Sequence, residues 1–262
     1  MEIRIATINL AGVSDGWFEG RREALVDQLS ELVLDVVCLQ EVASRGSPYP
    51  YDQVADLAKR LSLSFACFSP YGNPDEVLSR ERGGVALLAR WPFLWVETLQ
   101  LPPGTTAPDA RVAALGTLAH PEGPIHLLGT HLSWPLDAQR TREAQVRHAL
   151  ERVRDLGWDR PGARFVLAGD LNGVEGEPGL RLLSERLVDA YRAAHPTTPG
   201  LTWSHVNPLV WYDSPDRRLD YLFADPGVTV RAAGVALDRL EAPASDHYAV
   251  FAHLSWEGAD RV

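Results

Sequence analysis

Acids, amides and histidines stand where apolar runs stop in this sequence. Asn9 closes the run that holds Ile3, Ile5 and Ile8, and Glu41 closes Val36-Val37-Cys38-Leu39-Gln40. His131 follows Leu127-Leu128-Gly129-Thr130, and Asp170 and Asn172 follow Phe165-Val166-Leu167-Ala168-Gly169. Asp220 lies inside Arg218-Leu219-Asp220-Tyr221-Leu222. Asp246 and His247 directly precede Tyr248-Ala249-Val250-Phe251. In layered α/β folds, ligands gather where strand ends open into loops. If these eight groups meet on one edge, they form a carboxylate-rich pocket with two histidines. Taken singly, each is an ordinary cap, turn former or solvated group. The ordered set is what carries the reading.

That set has a chemistry. Hard oxygen donors from Glu, Asp and Asn suit Mg²⁺, or Mn²⁺, rather than zinc, which prefers sulfur and imidazole. A water nucleophile, a divalent cation and a His–Asp pair together suit hydrolysis of phosphate esters.

The elements that must position these groups alternate between strand and helix. Strands are expected near residues 3–8, 35–41, 64–69, 83–90, 93–98, 111–119, 125–132, 164–170, 218–224, 228–237 and 248–254. Leu25, Leu29, Leu32 and Val33 fall on one helical face, and Val54, Leu57, Ala58 and Leu61 on another. A third, longest helix is expected to start with Asp137 as its cap and to bury Val146, Ala149, Leu150 and Val153. A short helix is expected around Leu180, Leu183 and Leu187. Consecutive strands imply antiparallel hairpins and strand–helix–strand units imply parallel crossovers, so mixed sheets with helices outside are expected. The Pro/Gly-rich stretches 102–108 and 196–200 are short enough for surface loops, and no linker or repeat divides the 262 residues; one domain is expected.

Composition narrows the classes. At 45% hydrophobic and 23% charged, the chain is an ordinary globular protein that needs no disulfide or structural metal to build a core. The net charge of −10 argues against a protein that lives on non-specific nucleic-acid binding, although a local basic patch stays compatible with it. Cys38 and Cys67 have no CxxC partner and read as inert core thiols. No run is long and apolar enough to span a membrane and no signal peptide is visible, so a cytoplasmic protein without stable membrane association is expected; the sequence leaves the oligomeric state open, with a monomer expected ahead of an oligomer.

With these residues in view, the chain resembles the endonuclease/exonuclease/phosphatase superfamily, the DNase I-like proteins. Thr7-Ile8-Asn9 resembles its T-W-N opening, with Ile8 in place of tryptophan. Leu39-Gln40-Glu41 is similar to L-Q-E, Thr130-His131-Leu132 to T-H-L, and Gly169-Asp170-Leu171-Asn172 to G-D-x-N. Arg218-Leu219-Asp220-Tyr221 is similar to R-I-D-Y, and Ser245-Asp246-His247 to the closing S-D-H. The resemblance runs over residues 3–254. It implies a four-layer α-β-β-α sandwich with two mixed, largely antiparallel sheets. It implies Glu41 as principal Mg²⁺ ligand, with Asn9, Asp246, Asp170 and Asn172 at or near the metal. Asp170 would orient or deprotonate the attacking water, and Asn172 and His131 would contact the phosphate. His247, paired with Asp220, would stabilise the phosphorane or assist proton transfer. Whether one or two metals act, and which residue is the base, the resemblance leaves open.

The motifs identify the reaction rather than the leaving group. Trp17, Trp134, Trp211 and Tyr212 lie in loops where they could stack on a base, cover a lipid or sugar, or anchor the loop. Arg111 either meets a phosphate or is a solvated surface arginine. A small or exposed phosphodiester fits best. A nuclease acting on DNA or RNA ends or repair intermediates is the alternative. A non-catalytic binding or scaffold relative is a third reading; such relatives typically lose site residues, and here all eight are present.

Overall fold

Strand β2 (Val36–Ala43) and the second half of β1 (Glu2–Asn9) are buried on both faces, and each face meets a different layer, whereas Glu2 and Arg4 at the start of β1 are exposed. The structure is a computed structural model that describes residues 1–12, 17–43, 52–72, 83–104, 110–210 and 214–257. Odd-numbered Ile3 and Ile5 of β1 point into one core, and Ala6 and Ile8 into another. The period of two makes this switch automatic along a strand.

The remaining strands are β3 (Phe65–Pro70), β4 (Gly83–Ala89), β5 (Phe93–Gln100), β6 (Val112–Leu118), β7 (Ile125–His131), β8 (Phe165–Asp170), β9 (Val188–Asp189), β10 (Asp220–Ala224), β11 (Val228–Ala236) and β12 (Ala249–Trp256). Among the described residues they form two six-stranded sheets, in the orders β11-β12-β1-β2-β4-β3 and β5-β6-β7-β8-β10-β9. Only β1 with β2 and β7 with β8 pair in parallel; the other pairs are antiparallel. The inner faces meet in a core that joins Ile3, Val36 and Cys38 to Val112, Leu127 and Val166.

Helices close the outer faces. From α1 (Trp17–Glu31) and α2 (Gln53–Arg60), Leu25, Leu29, Val54 and Leu57 cover Ile8, Val37 and Leu39. From α3 (Gln139–Asp155) and α4 (Pro178–Ser184), Val146, Val153, Leu180 and Leu183 cover Leu115, Leu128 and Leu167. A short α5 (Ala190–Ala194), not expected from the sequence, follows β9. The layers are therefore α-β-β-α, as the resemblance implies.

Both parallel pairs are strand–helix–strand units, β1-α1-β2 and β7-α3-β8. Parallel neighbours end at the same edge, so Asn9 and Glu41 come out together from one sheet, and His131 and Asp170 from the other. Gly129, just before that edge, lets the sheets approach: a Cβ there would lie 2.6 Å from the Cys38 sulfur and 2.8 Å from Leu87.

Some local expectations fail for tertiary reasons. Helix α1 stops at Glu31, and Val33, expected on its buried face, adopts φ +50° and is 55% exposed. The chain turns there because Asp35 must enter the sheet, where its N–H meets the Arg4 carbonyl at 2.8 Å. Asp137 does not cap α3; Ala138 holds that position with no side-chain bond. Arg142, one turn in, reaches back instead to the carbonyls of Pro135 and Leu136. Leu187 lies beyond the end of α4. Arg111 precedes β6 and is buried, which overturns its reading as a solvated surface arginine. Cys38 and Cys67 are free, and both are registered opposite Leu87 on the two strands flanking β4. Two strand spacings, roughly 9–10 Å, are too far for a disulfide. Among the described residues no helix is long and apolar enough to cross a membrane.

Candidate active site

The strand ends open into one cavity of about 320 Å³. Asn9, Glu41, Arg111, His131, Asp170, Asn172, Asp246 and His247 line it, with Trp134 and Trp203. Asp220 lies behind His247, fully buried. Two larger cavities, of about 710 and 610 Å³, lie away from these residues, so convergent polar groups rather than size mark this one. Of the loop aromatics weighed from the sequence, Trp134 reaches the cavity. Trp17 opens α1, and Trp211 and Tyr212 lie outside the described residues.

Backbone turns at the strand ends aim these groups. Glu41 is the extra residue of a bulge between Gln40 and Val42, with φ +53°. Bulges re-aim side chains beside functional sites, and a left-handed non-glycine residue carries strain that the surroundings must hold. Asn172, two residues past the end of β8, has φ +49°. Its N–H donates to Asp170 Oδ1 at 2.9 Å and its Nδ2 to the Leu132 carbonyl at 3.0 Å.

Asp170 is the hub. Strand register places His131 beside it on one side and Asp220 on the other. Asn9 Nδ2 donates to Asp170 Oδ2 at 2.9 Å and to Glu41 Oε1 at 3.1 Å, linking the two sheets. His131 Nε2 lies 3.5 Å and His247 Nε2 3.8 Å from the same Oδ2. His247 Nδ1 bonds Asp220 Oδ2 at 2.8 Å, and Asp220 Oδ1 is buried with no hydrogen-bond partner among the described residues.

The protonation states follow from burial and charge. Burial alone would push the His247 imidazolium down, but Asp220, Asp170 and Asp246 outweigh it and raise its pKa to about 10. Burial lifts the Asp170 carboxyl to about 6; His247 opposes the rise and Asp220 adds to it. Burial also raises Glu41 and Asp246, and each carboxylate's charge bears on this cluster: Asp246 raises Glu41, and Asp170 raises Asp246. His131 is held well below the usual histidine range, first by burial and then by Arg111 and His247. It is therefore neutral at pH 7. Tyr71 Oη accepts from the Glu41 N–H at 3.3 Å, so its O–H is free to donate to His131 Nδ1, 2.7 Å away. That network assigns the proton of His131 to Nε2, which faces Asp170 and the cavity.

Several residues at the site were not singled out in the sequence. Tyr71 holds both Glu41 and His131, but it sits just past β3 in no periodic pattern. Thr202 Oγ1 accepts from the N–H groups of Leu219 and Asp220 at 2.9 and 3.1 Å, and Trp203 bridges to His247. Arg21 donates to the carbonyls of Leu10 and Ala244, and its charge stands toward Asp246 and Glu41. A threonine followed by a tryptophan, and a helix arginine near an acidic strand end, were the available signals.

The His247 shift has a consequence for stability. A histidine whose folded pKa is raised contributes stability that is complete below its unfolded value, about 6.5, and lost as pH rises through the folded value. In EDTA, the melting temperature of the protein is therefore expected to fall between pH 6.5 and about 10 more steeply than that of His247→Gln. Parallel curves for the two proteins in thermal melts would show that His247 is not held protonated.

Ligand-type atoms of Asp170, Asp220 and His247 lie within 4.8 Å of one another, a grouping that could hold a cation. Glu41 and Asp246, with the Asn9 amide, present further hard oxygen donors to the same cavity. The carboxylates' raised pKa values mark a cluster whose mutual repulsion a divalent cation would relieve.

The sequence model described as "Endonuclease/Exonuclease/phosphatase family" matches residues 6–247. A structure of an endonuclease/exonuclease/phosphatase from Beutenbergia cavernae is 28% identical with a TM-score of 0.75, over 100% of this chain and 73% of that one. The human Nocturnin catalytic domain, solved with a bound sulfate anion, is 21% identical with a TM-score of 0.76, over 98% of this chain and 95% of that one. Truncated Caenorhabditis elegans TDP2 is 19% identical with a TM-score of 0.74, over 97% of each chain. Comparison with curated proteins finds no match.

Proposed function

The chain belongs to the endonuclease/exonuclease/phosphatase family, and from that premise we propose that it is a Mg²⁺- or Mn²⁺-dependent hydrolase of small or exposed phosphodiesters, working as one domain by attack of water on phosphorus. The observation that carries this reading is the buried His247–Asp220 pair, whose ring Nε2 lies 3.8 Å from Asp170 in a cavity that Glu41, Asn9 and Asp246 also line.

Glu41 is the principal metal ligand in this proposal, with Asn9 and Asp246 beside it and Asp170 and Asn172 at its edge. His247 is a poor ligand, because its Nδ1 is bonded to Asp220 and its ring is cationic. When bound, the cation stabilises the charge that gathers on the phosphoryl oxygens. Asp170, oriented by the Asn9 amide and the Asn172 N–H, aligns the water and takes its proton. His247 donates from Nε2 to a phosphoryl oxygen while Asp220 keeps the ring protonated and fixed. His131 donates from Nε2 as a neutral group, and the second amide hydrogen of Asn172 serves another oxygen. Arg111, its charge directed over the Tyr71 ring at 5.5 Å, adds positive potential at the phosphate. These contacts strengthen as charge develops, which is the condition for raising kcat. A cytoplasmic setting is part of the proposal. The monomeric state is carried forward from the sequence.

Hydrolysis of bis(p-nitrophenyl) phosphate that requires Mg²⁺ or Mn²⁺ and stops in EDTA is the expected result. A panel of DNA, RNA, phosphoinositide and sphingomyelin then assigns the substrate. A folded, metal-bound protein with no turnover on any of them would make the chain a binding relative.

A further inference from the structure

The tryptophans that line the cavity differ in what holds them. Trp203 is 3% exposed and packs edge-on against His247, with ring centroids 5.0 Å apart, so it is part of the wall. Trp134 is 61% exposed. Its indole is not anchoring the loop, yet the loop around it is tied on both sides. The Ser133 N–H donates to Gln145 Oε1 at 3.1 Å, and Gln145 Nε2 donates to Ser133 Oγ at 2.8 Å. Arg142 Nη1 donates to the carbonyls of Ser133 and Pro135 at 3.0 and 2.7 Å. Asn172 Nδ2 holds the Leu132 carbonyl at 3.0 Å. Arg142 is 1% exposed, and Glu177 neutralises it through bonds of 3.0 and 3.1 Å.

A buried, paired guanidinium spent on fixing the backbone of a solvent-facing tryptophan calls for an explanation. Burying such a pair is weak evidence of stabilisation for its own sake. What it does here is leave Trp134 only its two side-chain torsions. A rigid, exposed aromatic face beside a polar cavity is pre-organised for stacking, because little entropy remains to be lost when a ring lies on it.

We propose that Trp134, held by the Arg142–Gln145 clamp, is a specificity-determining platform that stacks on a planar group esterified to the phosphate, so that the preferred substrates are aryl or nucleobase-bearing esters rather than aliphatic ones. The proposal rests on the phosphate-ester reading of the cavity. Arg142 and Gln145 are positioning residues in it. A general apolar contact, as with a lipid chain, is the competing use of the same loop, which also carries Leu136, 63% exposed. Tethering on both sides favours a stacking surface over an adaptable apolar one.

Calorimetric titration of the Mg²⁺-loaded protein with methyl, phenyl and hexyl phosphate tests this without requiring turnover. Stacking predicts that phenyl phosphate binds about tenfold tighter than methyl phosphate. In Trp134→Ala that preference falls to about twofold or less with methyl phosphate unchanged, and Trp134→Phe keeps most of it. An exposed position makes both variants safe for folding. If hexyl phosphate loses as much affinity as phenyl phosphate in Trp134→Ala, the rim is a general apolar contact and the proposal falls. If wild type binds methyl and phenyl phosphate equally, the platform falls while the phosphate-ester reading stands. Binding of neither would overturn the platform, while the phosphodiester reading would still be decided by turnover of bis(p-nitrophenyl) phosphate.

Discussion

Replacing His247 with alanine is expected to lower kcat by on the order of 10² or more, with a much smaller change in KM, as when one transition-state donor is removed. The imidazolium is buried, charged near neutral pH, and aimed from Nε2 into the cavity. Its contact with a phosphoryl oxygen grows as negative charge grows, so the ground state loses little. The same change strips Asp220 of its Oδ2 partner, and its Oδ1 already has none among the described residues. An uncompensated buried carboxylate costs about 3–5 kcal/mol, so His247→Gln, which keeps a donor toward Asp220, serves as the folded control. Asp220→Asn should give a smaller kcat defect, because an amide orients the ring but does not favour its cation. The double variant should be little worse than His247→Ala alone, since the two act as a unit. Losses that multiply, in variants with unaltered melts, would mean that Asp220 and His247 act separately.

Removing the Glu41 carboxylate should weaken Mg²⁺ or Mn²⁺ binding by on the order of 10² or more, the upper end of what even outer partners of a ligand cost, and abolish metal-dependent turnover. Without metal the sign reverses. Burial and the charge of Asp246 both disfavour ionised Glu41, so Glu41→Gln in EDTA should melt at or above the wild-type temperature. Glu41→Gly should gain further, because φ +53° is strained for any residue with a Cβ. Calorimetry reads the first effect and thermal melts the second. Unchanged metal affinity in Glu41→Gln would move the cation to another set of carboxylates, with Asp170 and Asp220 next in line.

Local chemistry alone made part of this protein legible. Alternating and continuous apolar runs marked every strand among the described residues except the two-residue β9, because a strand buried on two faces has little room for polar residues. The polar residues that ended those runs, from Asn9 to His247, were legible because a charge or amide at the end of a core strand stands out against it. Their order along the chain was enough for the family resemblance. The tertiary structure decided the rest. It ended α1 before Val33 and withheld the cap from Asp137, because neighbouring sheet bonds and the reach of Arg142 outweighed helical periodicity. It buried Arg111, and it recruited Tyr71, Thr202 and Arg21, whose partners lie far away in sequence and so leave no local pattern. It set the charge states as well: two histidines of one residue type differ because His247 faces three carboxylates while His131 sits in a buried pocket with Arg111 near it. Burial and charge at a few ångströms are properties of the assembled strand ends, and only folding brings those ends together.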